Sequence, residues 1–130
     1  MGRLRCECGE VIQDSLVPNP DKGYLVRDQD LAAVSQCQAR ILSEWVQAVA
    51  AGRRQEWIAA QLGPDYPPNV PDSEFLVDLL QSCRSDYELE TFQCRHCGRV
   101  AIQASLTGAA FWYFRPAAPP AAVIGLLHKE

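Results

Sequence analysis

The sequence predicts an α+β fold, a small antiparallel sheet at the joined ends of the chain with an insertion of two to three helices packed on it. Three observations carry this. Two short cysteine motifs stand far apart, Cys6-Glu7-Cys8-Gly9 and Cys94-Arg95-His96-Cys97-Gly98. Each runs on into a β-prone apolar stretch, Val11-Ile12 after the first and Val100-Ala101-Ile102 after the second. Between them, apolar residues recur at intervals of three and four, the period of a helix face. The chain has 130 residues, 48% of them hydrophobic and 22% charged, which is one domain's worth of globular sequence. The expected organisation is a single domain, 1–130, with the sheet part at 1–13 and 87–115, the helical insertion at 24–86 and a tail at 116–130.

Taken in order, residues 3–13 read as two short strands around the first motif, anchored by Leu4, Val11 and Ile12. Asp14, Pro18, Asn19, Pro20 and Gly23 mark a loop, and Tyr24-Leu25-Val26 adds a short extended piece. The longest periodic stretch follows: Leu31, Val34, Cys37, Ile41, Trp45 and Val49 form one apolar stripe, with Leu42 and Val46 beside it. Asp28 or Asp30 can cap its start, and Gly52 suits its end or a bend. A second, shorter helix carries Trp57, Ile58 and Leu62 and stops at Gly63-Pro64, and prolines make 64–71 a stiff connection. A third begins at Asp72 or Ser73 and carries Phe75, Leu76, Leu79, Leu80 and Cys83. Residues 87–93 look extended. Val100 to Ala104, a turn at 105–108 and Ala110 to Phe114 make a hairpin, which the prolines at 116, 119 and 120 end. The apolar run Val123 to Leu127 is expected to dock on the body.

The chemistry lies in the paired cysteines. A C-x-x-C turn directs two sulfurs at one metal, and a glycine after the second cysteine lets the backbone bend around the sulfur. Both motifs end in that glycine, so Cys6, Cys8, Cys94 and Cys97 are the candidate ligands of one structural Zn2+. Iron in the same four-sulfur geometry is an alternative, as is a disulfide framework. The C-x-C spacing of the first motif is one residue tighter than usual but still permits tetrahedral ligation. Arg5, Arg95 and Arg99 flank the ligands and can offset the negative charge of a four-thiolate site. Cys37 and Cys83 each sit alone on an apolar helix face and read as free core cysteines. His96 reads as an exposed spacer between ligands.

The net charge is −4, and residues 14–89 hold twelve acidic residues against six basic ones. That insertion disfavours non-specific nucleic-acid binding and suits a basic partner. Catalytic motifs are missing: there is no H-E-x-x-H, no G-x-S-x-G and no phosphate-cradling glycine loop. A closed four-cysteine site also leaves no position for a reacting water. No run approaches the length of a transmembrane helix, and the chain opens into a cysteine motif without an apolar leader, so a cytoplasmic protein is expected.

Arg5 to Asp14, Lys22-Gly23-Tyr24-Leu25, Asp28-Gln29-Asp30 and the segment Cys94 to Arg99 together resemble a family of small uncharacterised bacterial proteins. In these, a C-x-C-G knuckle and a C-x-x-C-G-R knuckle flank a helical insertion. The resemblance implies a zinc-ribbon-like bacterial protein and carries no established activity. By size and acidity the chain is also similar to immunity proteins of interbacterial toxin systems. The expected function is therefore a non-enzymatic, zinc-stabilised protein-interaction module, an immunity protein binding a basic toxin domain being one version. A nucleic-acid-associated zinc ribbon is the alternative, resting on Arg3, Arg5, Arg95, Arg99 and Arg115 with Trp112, Tyr113 and Phe114 for base stacking.

Overall fold

The structure, a computed structural model, describes residues 3–117. Its described part has three helices and two antiparallel sheets, an α+β fold. The described residues divide into two compact units: one combines those up to Val26 with those from Glu88 onward, and the other is Arg27–Tyr87. The tail run Val123 to Leu127 lies outside the described residues.

In the first unit, β1 (Arg3–Arg5) pairs antiparallel with β2 (Val11–Gln13), so the first cysteine motif is the connection of a short hairpin. A four-stranded antiparallel sheet has the order β3 (Lys22–Val26), β4 (Glu88–Gln93), β5 (Val100–Gln103) and β6 (Phe111–Phe114). The second cysteine motif joins β4 to β5. Tyr24, Leu25 and Val26 pair with Glu90, Leu89 and Glu88, which is why the helical unit starts at Arg27.

Strand alternation sorts the side chains. Lys22, Phe92, Ala101 and Tyr113 lie side by side across the four strands, with Tyr24, Glu90, Gln103 and Phe111 in the adjoining row. Phe92 and Ala101 in this face form a buried cluster with Cys6, Ile12 and Cys94, and Leu4, Cys97, Phe111 and Tyr113 pack around it. The hairpin's apolar side is thereby covered, and Phe92 meets Phe111 edge to face at 5.8 Å. The alternation in β6 leaves Trp112 and Phe114 outward, 66% and 54% exposed.

The second unit holds α1 (Asp28–Ala50), α2 (Arg54–Leu62) and α3 (Asp72–Ser85). Of the stripe read from the sequence, Val34, Ile41 and Trp45 turn inward while its ends, Leu31 and Val49, are exposed; Ile41 and Trp45 of α1 join Ile58, Phe75, Leu79 and Cys83 in one buried cluster. Trp45 packs edge-on against Phe75 at 4.8 Å and at a tilt against Trp57 at 5.4 Å. Arg54 lies over the Trp45 and Phe75 rings at 5.6 and 5.5 Å and donates to Asp72 and to the Val70 carbonyl, fastening α2 to the start of α3.

Gly52 ends α1 rather than bending it. Its φ is 69°, its N–H donates to the Val49 carbonyl, and the Arg53 N–H donates to the Ala48 carbonyl. That pair of bonds is a Schellman termination, which needs a left-handed residue at this point. The capping expected of Asp28 or Asp30 is not observed. Arg27 holds the cap position, no side chain caps the helix, and Asp30 instead accepts from Arg27 Nε at 2.6 Å. Both carboxylates still lie in the first turn, where the helix dipole favours negative charge.

Candidate metal centre

Each cysteine motif is a tight connection between two antiparallel strands, and the two are built alike. In the first, the Cys6 N–H donates to the Glu10 carbonyl at 2.8 Å, closing the loop, and the Gly9 N–H donates to the Cys6 carbonyl at 2.9 Å. In the second, the Cys94 N–H donates to the Arg99 carbonyl and the Gly98 N–H to the Cys94 carbonyl, both at 2.9 Å. Every span is one residue longer in the second motif, which absorbs the extra spacer of C-x-x-C without changing the design.

The two motifs bring Cys6, Cys8, Cys94 and Cys97 together. Their sulfurs all lie within 4.8 Å of one another, with Cys6 Sγ to Cys97 Sγ at 3.5 Å and Cys8 Sγ to Cys94 Sγ at 3.7 Å. A disulfide needs about 2.05 Å, so these are unbonded sulfurs. A tetrahedral site with metal–sulfur bonds of about 2.3 Å has edges of about 3.8 Å, close to both of these separations. The four residues predicted from the sequence can therefore hold one metal ion.

Burial makes the same point in electrostatic terms. Cys6 and Cys94 are fully buried and Cys8 is exposed. Burial pushes the Cys6 thiol up, and it pushes Cys94 up to about 12 despite amides from Cys97 and His96 pulling the other way. At Cys97 burial also pushes upward, but the Arg99 amide and guanidinium, with Cys6 and Cys8, outweigh it and bring the thiol to about 6. A cation among the sulfurs reverses the penalty on the buried pair, because a coordinating thiol gives up its proton outright. The donor set is thus suited to a thiophilic cation.

Of the three arginines expected beside the ligands, one reaches a sulfur. Arg99 Nη1 donates to Cys97 Sγ at 3.4 Å, and its Nε lies 3.7 Å from Glu7. Arg95 turns away to Asp21 at 2.6 Å, and Arg5 is exposed, its carbonyl accepting from the Tyr113 hydroxyl. His96 is exposed and outside the four-sulfur group.

Cys37 and Cys83 correct the sequence reading. Both belong to the helical core, as expected, but they are not free: they form a disulfide between α1 and α3 with a sequence separation of 46. Each residue completes an apolar stripe on its own helix, so neither stripe announces a partner. The bond depends on the docking of α1 against α3. An even number of cysteines beyond the four ligands was the available hint.

This fold and this four-sulfur cluster define an α+β protein with a candidate metal centre clasped between two β-hairpin connections. The chain matches the model of a domain of unknown function (DUF8617) over residues 2–118 and belongs to that family. No curated protein and no solved structure matches it. Among the described residues, no helix is long and apolar enough to cross a membrane.

Proposed function

We propose that the protein is a non-enzymatic, zinc-stabilised protein-interaction module. The observation carrying this reading is the convergence of Cys6, Cys8, Cys94 and Cys97 to within 4.8 Å from two hairpin connections 86 to 91 residues apart. Zinc is the favoured ion because four thiolates in a small closed cluster suit it, and such a site clasps chain segments instead of activating water. A zinc-ribbon-like role for the two knuckles follows.

The partner surface in this reading is the helical unit. It holds nine acidic residues against five basic ones. A groove of about 360 Å³ between α1 and α2 is lined by Glu44, Arg53, Glu56 and Trp57. An aromatic wall with carboxylates at its rim suits a cationic side chain of a basic partner. A toxin-neutralising immunity role in a bacterium is one form this takes. Co-expression with the product of the adjacent gene tests it: a complex that survives purification and weakens on Glu44→Lys/Glu56→Lys substitution supports the reading. Absence of any complex with neighbouring products counts against it.

The exposed pair Trp112 and Phe114 favours a second reading, a nucleic-acid-associated zinc ribbon. It is the weaker one, since Arg95 and Arg99 are engaged by Asp21 and by Cys97 with Glu7. Titration with single-stranded RNA and DNA at low salt separates the two readings.

A further inference from the structure

We infer that α1 is the contact surface of a symmetric dimer, in which the helix packs antiparallel against α1 of a second copy of this chain. This is independent of the partner assigned to the acidic groove and of the metal centre.

About a third of a turn around α1 from its buried stripe runs a second stripe, Ala32, Ser35, Ala39, Leu42, Val46 and Val49. The intervals are three, four, three, four and three residues, the spacing of a helix–helix seam. All six residues are exposed, and the three large ones heavily so: Leu42 is 44% exposed, Val46 64% and Val49 47%. A core-facing stripe accounts for one apolar face of a helix; a second one in register with it is left without a covering surface among the described residues.

The order of side-chain sizes identifies the occupant. Small residues fill the first half of the seam and large ones the second. In an antiparallel pair centred between Ala39 and Leu42, Leu42 of one copy faces Ala39 of the other. In the same way Val46 faces Ser35 and Val49 faces Ala32. Every layer then joins a large residue to a small one, so the layers have nearly equal width and the helices approach closely along ~27 Å of axis. A parallel pair would set Val46 on Val46 and Ala39 on Ala39, alternating crowded layers with gaps. One surface that complements itself about a two-fold axis is the definition of an isologous interface.

Charge points to the same occupant. The helical unit is acidic overall, so two copies repel over most of its surface. The stretch 31–50 is the exception: its only charged residues are Arg40 and Glu44, and they pair with each other at 3.3 Å. The seam itself carries no charge, which offers a basic partner nothing and a second copy an unopposed contact.

Sedimentation velocity on the full metal-loaded chain across the micromolar range tests the inference. A reversible dimer is expected. Val46→Glu places an unpaired charge in the seam twice and is expected to weaken the dimer by ~100-fold, with helix content and metal content unchanged because residue 46 faces solvent in the monomer. Ala39→Leu supplies the discriminating case. It adds apolar surface, yet it opposes Leu42 with a second large residue, so it is expected to weaken association, and the exchange Ala39→Leu/Leu42→Ala is expected to restore it. A wild-type chain that stays monomeric, a dimer indifferent to Val46→Glu, or tighter association in Ala39→Leu would each overturn the inference.

Discussion

Gly9 and Gly98 occupy equivalent points of the two cysteine motifs: both hold a left-handed backbone, φ 95° and 77°, and each donates its N–H to the carbonyl of the first cysteine of its own motif at 2.9 Å. The bend that aims two sulfurs at one point therefore depends on a conformation that side chains resist. A Cβ added at Gly9 meets nothing within 4 Å, so Gly9→Ala isolates the backbone cost, roughly 1–2 kcal/mol. The motif must be ordered to bind metal, so the cost should appear as metal affinity lowered by a factor of about 5–30. Competition with a chromogenic chelator measures it. Asn, which tolerates this region better, should recover part of the loss.

With a metal ion held by the four cysteines, its removal should act first on the hairpin. Strands β1 and β2 have three residues each, too short to persist unaided, and little besides Cys6 and Ile12 is buried to tie them to the sheet. Chelation is expected to expose the amides of residues 3–13 to hydrogen exchange while those of α1 and α3 stay protected. Cys94→Ser should reproduce this and also lower the unfolding temperature, because residue 94 is fully buried in the cluster. Cys8→Ser removes an exposed sulfur and should cost metal affinity with less loss of packing. Equal protection of residues 3–13 with and without metal would contradict the clasp.

The pairing of the motifs was legible because each carries its own grammar: two cysteines, a glycine that permits the bend, and an apolar pair that starts the next strand. The inward positions Val34, Ile41 and Trp45 were legible because a helix face repeats within a few residues, although the ends read into the same stripe, Leu31 and Val49, face solvent. What stayed hidden depends on residues far apart in sequence. Arg95 was expected beside the sulfurs, yet Asp21, 74 residues away, takes its guanidinium across the sheet. The Cys37–Cys83 bond is hidden for the same reason. The seam on α1 was partly in view, since Leu42 and Val46 read as neighbours of the main stripe, but only their exposure distinguishes a second face from a wider first one.

Lys22 provides a test at high pH. Its Nζ donates to Asp14 at 2.7 Å and Glu90 at 3.3 Å, and it lies 5.1 Å from the centre of the Phe92 ring. It thus ties the segment after β2 to the four-stranded sheet. Burial draws the Lys22 pKa down, but Asp14 and Glu90 outweigh it and leave the group above its ordinary 10.5. A group raised on folding contributes stability that is complete below its unfolded pKa and disappears as pH rises through its folded pKa. Lys22→Met should therefore cost about 1–3 kcal/mol near neutrality, and the gap between variant and wild type should close in alkali above 10.5. Urea unfolding of both chains across that range checks the sign; a gap that widens with pH would refute the assignment.

The Cys37–Cys83 bond should set the stability of the helical unit. It joins α1 to α3 across 46 residues, a span that includes all of α2 and the proline-rich connection. By the chain-entropy model, closing a loop of that length removes about 4 kcal/mol of freedom from the unfolded chain. The unit's core is small, and Cys83 is already buried within it beside Phe75 and Leu79, so little other structure compensates. Cys37→Ser/Cys83→Ser is expected to lose most of that amount, whereas single Cys→Ala changes should lose the bond and, at Cys83, packing as well. Denaturant unfolding followed by helix circular dichroism gives the magnitude. Because the four ligands lie in the other unit, the double variant should keep its full metal content, and loss of the metal in that variant would show the two units to be energetically coupled.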